Sequence, residues 1–271
     1  MDAQYFVWNI DPVMLDLGFW QIRWYGPLFA SGFVMGYFIL TRIFRQEGKP
    51  EADMEALTLY VVAGTAIGMR LGHCLFYEFD YYSQHPLQIL AIWRGGYASH
   101  GAVPAILIAL WLYSRKRLDT GQTFFWITDR MCVVTALGGC MIRLANFANS
   151  EIVGAPTTVP WAVVFKQLDS EPRHPTQLYE AAWYLLSYWI LMGVYRRYRQ
   201  RTPEGLLFGL FLLLVFGFRF VIEFIKKEQV DFEQGMLLNM GQILSIPLIL
   251  IGAYFFARGV RTLPNPARSV L

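Results

Sequence analysis

The run Arg143-Leu144-Ala145-Asn146-Phe147-Ala148-Asn149-Ser150-Glu151 begins where an uncharged stretch from Val133 to Ile142 stops, and Gly154 follows shortly after it. A guanidinium offers a planar fork of donors that matches phosphate oxygens, while amides and a carboxylate suit hydroxyl groups. The spacing therefore reads either as a cradle for a phosphate-bearing headgroup or as an ordinary hydrated helix end. Further charges lie inside apolar runs: Arg70 with His73, Asp129 with Arg130, Glu180, and Arg219 four residues before Glu223. A charged side chain at the centre of a bilayer costs about 2.5–3.5 kcal/mol on insertion scales, so each needs compensation. Arg219 and Glu223 share a helix face and can neutralise each other, whereas Arg70 and Arg130 can reach towards headgroups. His100, in Ser99-His100-Gly101, suits proton transfer near neutral pH and equally suits a satisfied place at an interface.

These residues need elements to hold them. A bilayer is crossed by roughly 20 mostly apolar residues, and such runs predict helices over 25–41, 57–77, 97–114, 122–142, 176–195, 205–225 and 236–257. The expected fold is thus all-α: an integral membrane protein of about seven transmembrane helices, with residues 1–271 forming a single polytopic transmembrane domain. Basic residues follow alternate runs, at Arg42, Arg45 and Lys49, at Arg115, Lys116 and Arg117, at Arg196, Arg197, Arg199 and Arg201, and at Arg258, Arg261 and Arg268. Loops rich in Lys and Arg stay in the cytoplasm, so the N-terminus is expected outside and the C-terminus inside. The outward segments are then 78–96, 143–175 and 226–235. Of these, 143–175, with four prolines, is expected to form a small outward loop or cap. Residues 1–24 mix Asp11, Asp16 and Arg23 with Leu15, Leu17, Phe19 and Trp20, as suits an interfacial arm. Gly64, Gly68 and Gly72 recur every four residues, as do Gly32 and Gly36, and such ridges let helices approach closely in lipid.

Composition agrees with this class. Hydrophobic residues make up 55% of the 271-residue chain and charged residues only 16%, more apolar surface than a soluble domain of this length hides. The net charge of +3 is too small to suggest nucleic acid. Cys74, Cys132 and Cys140 lie in apolar stretches without ligand spacing, and the four histidines lack it too, so no metal site and no cofactor is expected. The first residues carry acids and aromatics instead of a basic segment, so a removable signal peptide is not expected.

Arg143-x-x-Asn146-Phe147-x-Asn149-x-Glu151-x-x-Gly154 resembles the signature of the prolipoprotein diacylglyceryl transferase family. The resemblance extends through Ile22-Arg23-Trp24-Tyr25-Gly26, Arg70-Leu71, Gly95-Gly96-Tyr97-Ala98-Ser99-His100-Gly101, Arg173-His174-Pro175-Thr176-Gln177-Leu178-Tyr179-Glu180, Arg219-Phe220-x-x-Glu223-Phe224 and Met240-Gly241-Gln242. The sequence departs from the commoner pattern at Ala102-Val103-Pro104, at Val215 and at Lys226-Lys227-Glu228-Gln229.

What the resemblance implies is transfer of the diacylglyceryl group of phosphatidylglycerol to the lipobox cysteine thiol in the signal peptide of a prolipoprotein, in the bacterial inner membrane. This is the first step of lipoprotein maturation, with glycerol phosphate released. A free thiol has a pKa of about 8.5, so a base must help form thiolate. His100 is the expected base, with Glu223 as the competing choice or as the residue that orients Arg219. Arg143 and Arg219 are expected to grip the phosphate, Asn146, Glu151 and Gly154 to orient the glycerol end, Arg70 to contact the lipid, and Tyr25 to donate to phosphate. On position alone, Tyr25 is equally an aromatic-belt tyrosine. The same arginines would suit a channel or transporter for an anionic solute, or a scaffold in which polar groups merely hold helices together.

Overall fold

A computed structural model describes residues 5–19, 21–91, 95–96, 98–226 and 237–263. In chain order the elements are the short strands β1 (Phe6–Trp8), β2 (Val13–Asp16) and β3 (Gln21–Arg23), then helices α1 (Tyr25–Gln46), α2 (Glu51–Phe76), α3 (Phe79–Gln84), α4 (Ser99–Arg115) and α5 (Phe124–Ala148). Strands β4 (Val163–Phe165) and β5 (Pro172–Arg173) precede α6 (Thr176–Tyr198), α7 (Leu206–Ile222) and α8 (Met240–Arg261). Single 3-10 turns lie at Pro86–Leu90, Leu118–Thr120, Arg199–Arg201 and Glu223–Ile225.

Each expected apolar run is a helix, displaced by a few residues at its ends. Among the described residues, α1, α2, α5, α8 and the segment Leu206–Ile225 are long and apolar enough to cross a membrane. Helix α4 has 17 residues, and α6 is diluted by Glu180 and by several tyrosines. Local chemistry sets several ends. Asn239 caps α8 in a reciprocal box with Gln242, satisfying two backbone donors at once. Glu51 and Asp53 occupy the first turn of α2, where carboxylates offset the positive end of the helix.

Three expectations are corrected. The segment 143–175 is not a loop from its start, because α5 continues through Ala148. Arg143 finds a buried carboxylate partner, so the helix need not end where its charge enters. The residues of the arm and of the cap are not separate features either: β1 pairs in parallel with β4, which pairs antiparallel with β5, in one three-stranded sheet. Arg130 does not reach for headgroups: it is fully buried, with its guanidinium 5.9 Å from the Tyr195 ring centroid. Trp20, Tyr97, Arg268 and most of the expected outward segment 226–235 lie outside the described residues.

The chain divides into two compact units, one of residues 1–39 and 129–271, the other of residues 40–128. In the first unit, Asp129 accepts the backbone N–H groups of Gly205 and Phe208, each at 2.8 Å, and so caps α7 from within α5. Phe147 packs between Trp8 and Phe165, at ring centroid distances of 4.4 and 5.7 Å, and ties the small sheet to the end of α5. In the second unit, α2 and α4 meet along the expected glycine ridge. A Cβ on Gly68 would collide with the carbonyl of Gly101 and with Ala105, so only glycine permits this approach. The other end of this unit is held by Asp53, which pairs with Arg117 at 2.6 Å and accepts from Gln122.

Candidate active site

Three helices and a turn of the first unit bring five charges into a row. Arg143 Nε on α5 faces Glu180 Oε2 on α6 at 3.2 Å. Glu180 Oε1 accepts from Lys226 Nζ at 3.1 Å, and the same ammonium donates to Glu223 Oε1 at 3.1 Å. Glu223 Oε1 in turn lies 3.7 Å from Arg219 Nε. Three cations thus alternate with two carboxylates, leaving one positive charge in excess. Glu180 is fully buried and Lys226 is 9% exposed, while the Arg219 side chain is 39% exposed. The pairing explains how the helices tolerate these residues: a lone buried charge would be prohibitive, and a matched row is not.

Beyond Arg143 the row continues through an amide to a third carboxylate, Glu151. Arg143 Nη1 donates to Asn146 Oδ1 at 3.1 Å, one helical turn further on, and Asn146 Nδ2 donates to Glu151 Oε1 at 3.0 Å. Asn149 Nδ2 also reaches Glu151 Oε1, at 3.4 Å. Tyr25, half-buried at the start of α1, lies within electrostatic reach of both Glu151 and Arg143. Tyr184 on α6 shares a side-chain hydrogen bond with Arg143.

The turn that carries Glu151 is held against its own preference. Ser150 and Ile152 have φ of +55° and +56°, a left-handed conformation that is costly for any residue with a Cβ and most of all for a β-branched one. The start of α6 imposes it. Gln177 Nε2 donates to the Glu151 carbonyl at 2.7 Å, and Thr176 Oγ1 to the Ile152 carbonyl at 3.1 Å. Gly154 then donates its N–H to the His174 carbonyl at 3.0 Å, in a contact so close that a Cβ on Gly154 would sit 2.6 Å from that oxygen. Arg173 completes the cap by pairing with Asp169 and Glu171 at 2.6 and 2.7 Å.

Glu223 is fixed from a second side. Asn239 Nδ2 donates to Glu223 Oε2 at 3.2 Å, and the Glu223 side chain lies where a Cβ on Gly241 would stand, so the motif Met240-Gly241-Gln242 shapes this carboxylate's seat.

Of the residues expected from sequence, the first unit gathers Tyr25, Arg143, Asn146, Glu151, Gly154, Arg219 and Glu223. His100 and Arg70 belong to the second unit. His100 is exposed on the first turn of α4, its ring 5.1 Å from Phe76 and 5.7 Å from Tyr77. Arg70 is 3% exposed, and its guanidinium donates to the backbone carbonyls of Ile89, Gly95 and Gln88 at 3.0, 2.6 and 2.7 Å. The Tyr82 ring, 5.0 Å away, covers it. A headgroup would have to displace these carbonyls to reach it. Sequence reasoning passed over Glu180 and Lys226 as site residues. The available signal was charge balance, since arginines at 143 and 219 within apolar helices require carboxylates.

The family model for prolipoprotein diacylglyceryl transferase matches residues 12–258. A protein of Tolumonas auensis called phosphatidylglycerol–prolipoprotein diacylglyceryl transferase is 48% identical over 245 residues, 90% of this chain and 94% of the relative. Proteins of the same name from Chloroherpeton thalassium and Bacteroides fragilis are 45% identical over 259 residues, 96% of each chain, and 43% identical over 260 residues, 92% of this chain and 93% of the relative. With a match this long, over a helical membrane fold and a site built from the signature residues, the chain belongs to the prolipoprotein diacylglyceryl transferase family.

Proposed function

We propose that this transferase moves the diacylglyceryl group of phosphatidylglycerol onto the lipobox cysteine of a prolipoprotein, with the charged row of the first unit receiving the phosphate. The observation that carries this reading is the surplus positive charge of the row, which matches the single negative charge of a phosphodiester. As the thiolate sulfur bonds to the terminal glycerol carbon of the lipid, the bond from that carbon to the phosphate oxygen breaks. Glycerol phosphate leaves with the bonding electrons and gains charge. Arg143 and Arg219 counter that charge where low polarity strengthens each contact. Tyr25 donates to phosphate, and Asn146, Glu151 and Gly154 orient the glycerol end.

His100 takes the thiol proton in this scheme. Glu223 is the less available base, because its oxygens already accept from Lys226 and Asn239. Arg70 acts as a strut. Its bonds hold the carbonyls of Gln88, Ile89 and Gly95, which precede His100 in the chain. The chain is proposed to sit in the inner membrane as a single domain crossing seven times, with its N-terminus, the arm 1–24 and the cap outside. No cofactor enters the scheme.

The test mixes purified protein with phosphatidylglycerol and a lipobox peptide. Glycerol phosphate release and a diacylglyceryl mass gain on the cysteine are expected, and absence of both across several detergents overturns the reading. His100→Gln is expected to abolish turnover while the protein remains folded, and a wild-type rate would remove histidine from the role of base.

A further inference from the structure

Lys226 stands at the centre of the charged row, and its geometry suggests more than neutralisation. It donates well-formed bonds of 3.1 Å to both carboxylates. The arginines hold those same carboxylates poorly. Arg143 Nε faces Glu180 at 3.2 Å without the alignment of a hydrogen bond, and Arg219 Nε stands 3.7 Å from Glu223, beyond hydrogen-bond distance. The ammonium has therefore drawn both acids towards itself and left two guanidinium edges underused.

The backbone holds Lys226 in that place from another direction. Gly154 and Lys226 form an isolated antiparallel bridge, and Ala155 donates its N–H to the Ile225 carbonyl at 2.8 Å. The turn after α7 is thus fastened to the turn after α5, and the ammonium is delivered between two acids.

We propose that Lys226 is a positioning residue: by engaging Glu180 and Glu223 it prevents them from closing onto Arg143 and Arg219, and so keeps both guanidinium groups available to the lipid phosphate. This rests on the proposed function of the row. Without the ammonium, two arginines would face two carboxylates, the surplus charge would vanish, and an incoming phosphodiester would have to break two satisfied ion pairs. The predicted defect is therefore in lipid binding more than in the chemical step.

The test measures turnover against phosphatidylglycerol concentration, with the lipobox peptide saturating, for the full-length wild type, Lys226→Met, Lys226→Arg, and Lys226→Met combined with Glu180→Gln. Lys226→Met is expected to raise KM for the lipid about tenfold while kcat changes less than about threefold. Lys226→Arg should return KM to within about threefold of wild type. The double variant should recover most of the lost affinity, because removing one carboxylate restores the positive surplus. A structural role alone would not make the second substitution a remedy.

An unchanged KM in Lys226→Met, a fall in kcat at constant KM, or a double variant no better than the single overturns the proposal. Should Lys226→Met fail to accumulate in the membrane, the double variant decides: a KM about tenfold above wild type overturns the proposal, and a KM near wild type supports it. A wild type that releases no glycerol phosphate refutes the function and this inference together.

Discussion

Arg70 and Arg143 are both arginines within long apolar helices, one in each unit, and they are compensated in opposite ways. Arg70 is saturated by backbone carbonyls and roofed by an aromatic ring, with no carboxylate bond among the described residues. Arg143 leans on a carboxylate, an amide and a phenol, of which the carboxylate and the amide are each engaged by a further side chain. Carbonyls satisfy a guanidinium's donors permanently, since releasing them would unmake the backbone path they belong to. A side-chain network can rearrange when an anion arrives. The comparison separates an arginine held by backbone from one held by side chains, although the residue type is the same.

The largest expected effect sets the two apart directly. Arg143→Ala should lower kcat/KM by at least about a hundredfold while the protein still accumulates in the membrane, as measured by glycerol phosphate release per mole of folded enzyme. Arg70→Met should act the other way. The amount of folded protein and its thermal midpoint fall by an amount equivalent to about 2–4 kcal/mol, while the turnover of the surviving fraction stays within about threefold. Equal losses of turnover in both variants would erase the distinction.

Strain sharpens the contrast further. Among the described residues, the non-glycine positions with positive φ all lie in the first unit, two of them flanking Glu151. Ser150 also buries a hydroxyl without a hydrogen-bond partner. Ser150→Gly relieves both costs at the expense of chain entropy, so a net stabilisation of about 1 kcal/mol is expected, with kcat lowered a few-fold as Glu151 loosens. A rise in thermal midpoint without loss of rate would mean the strain has no part in catalysis.

The smallest effect is at the β2–β3 hairpin. The Gly18 N–H and then the Gln21 amide donate to the exposed Asp16 carboxylate and hold it below its ordinary value of 3.8. A carboxylate depressed in this way supports the folded hairpin above that value and loses its contribution as the pH falls through its own lower one. Proteolytic nicking near Gly18 should rise only in strong acid or in Asp16→Ala, with activity at neutral pH unchanged within about twofold.

Much of this was legible in the chain itself. The long helices follow from apolar length, and Arg143, Asn146 and Glu151 stand out because a polar cluster directly after an uncharged run needs either a ligand or water to satisfy it. What stayed hidden depends on distant segments. Strands β1 and β4 are three residues each and pair across most of the chain, too short to carry an alternating signature. The difference between Arg70 and Arg143 is invisible locally, because the carbonyls that saturate Arg70 belong to Gln88, Ile89 and Gly95, some twenty residues further along the chain. Lys226 stood out in the sequence only as a departure from the family pattern, and its bridge between Glu180 of α6 and Glu223 is visible only in three dimensions.

Helix α7 begins on the carboxylate of Asp129 and carries Arg219 near its far end. At about 1.5 Å per residue, roughly 20 Å of rigid rod separates those two points. To let the arginine sink or rise, the rod would have to pull two backbone N–H groups off a buried acid. The height of Arg219 along the helix axis is therefore gauged from the other end of α7, by a buried carboxylate that makes no contact with the arginine it registers.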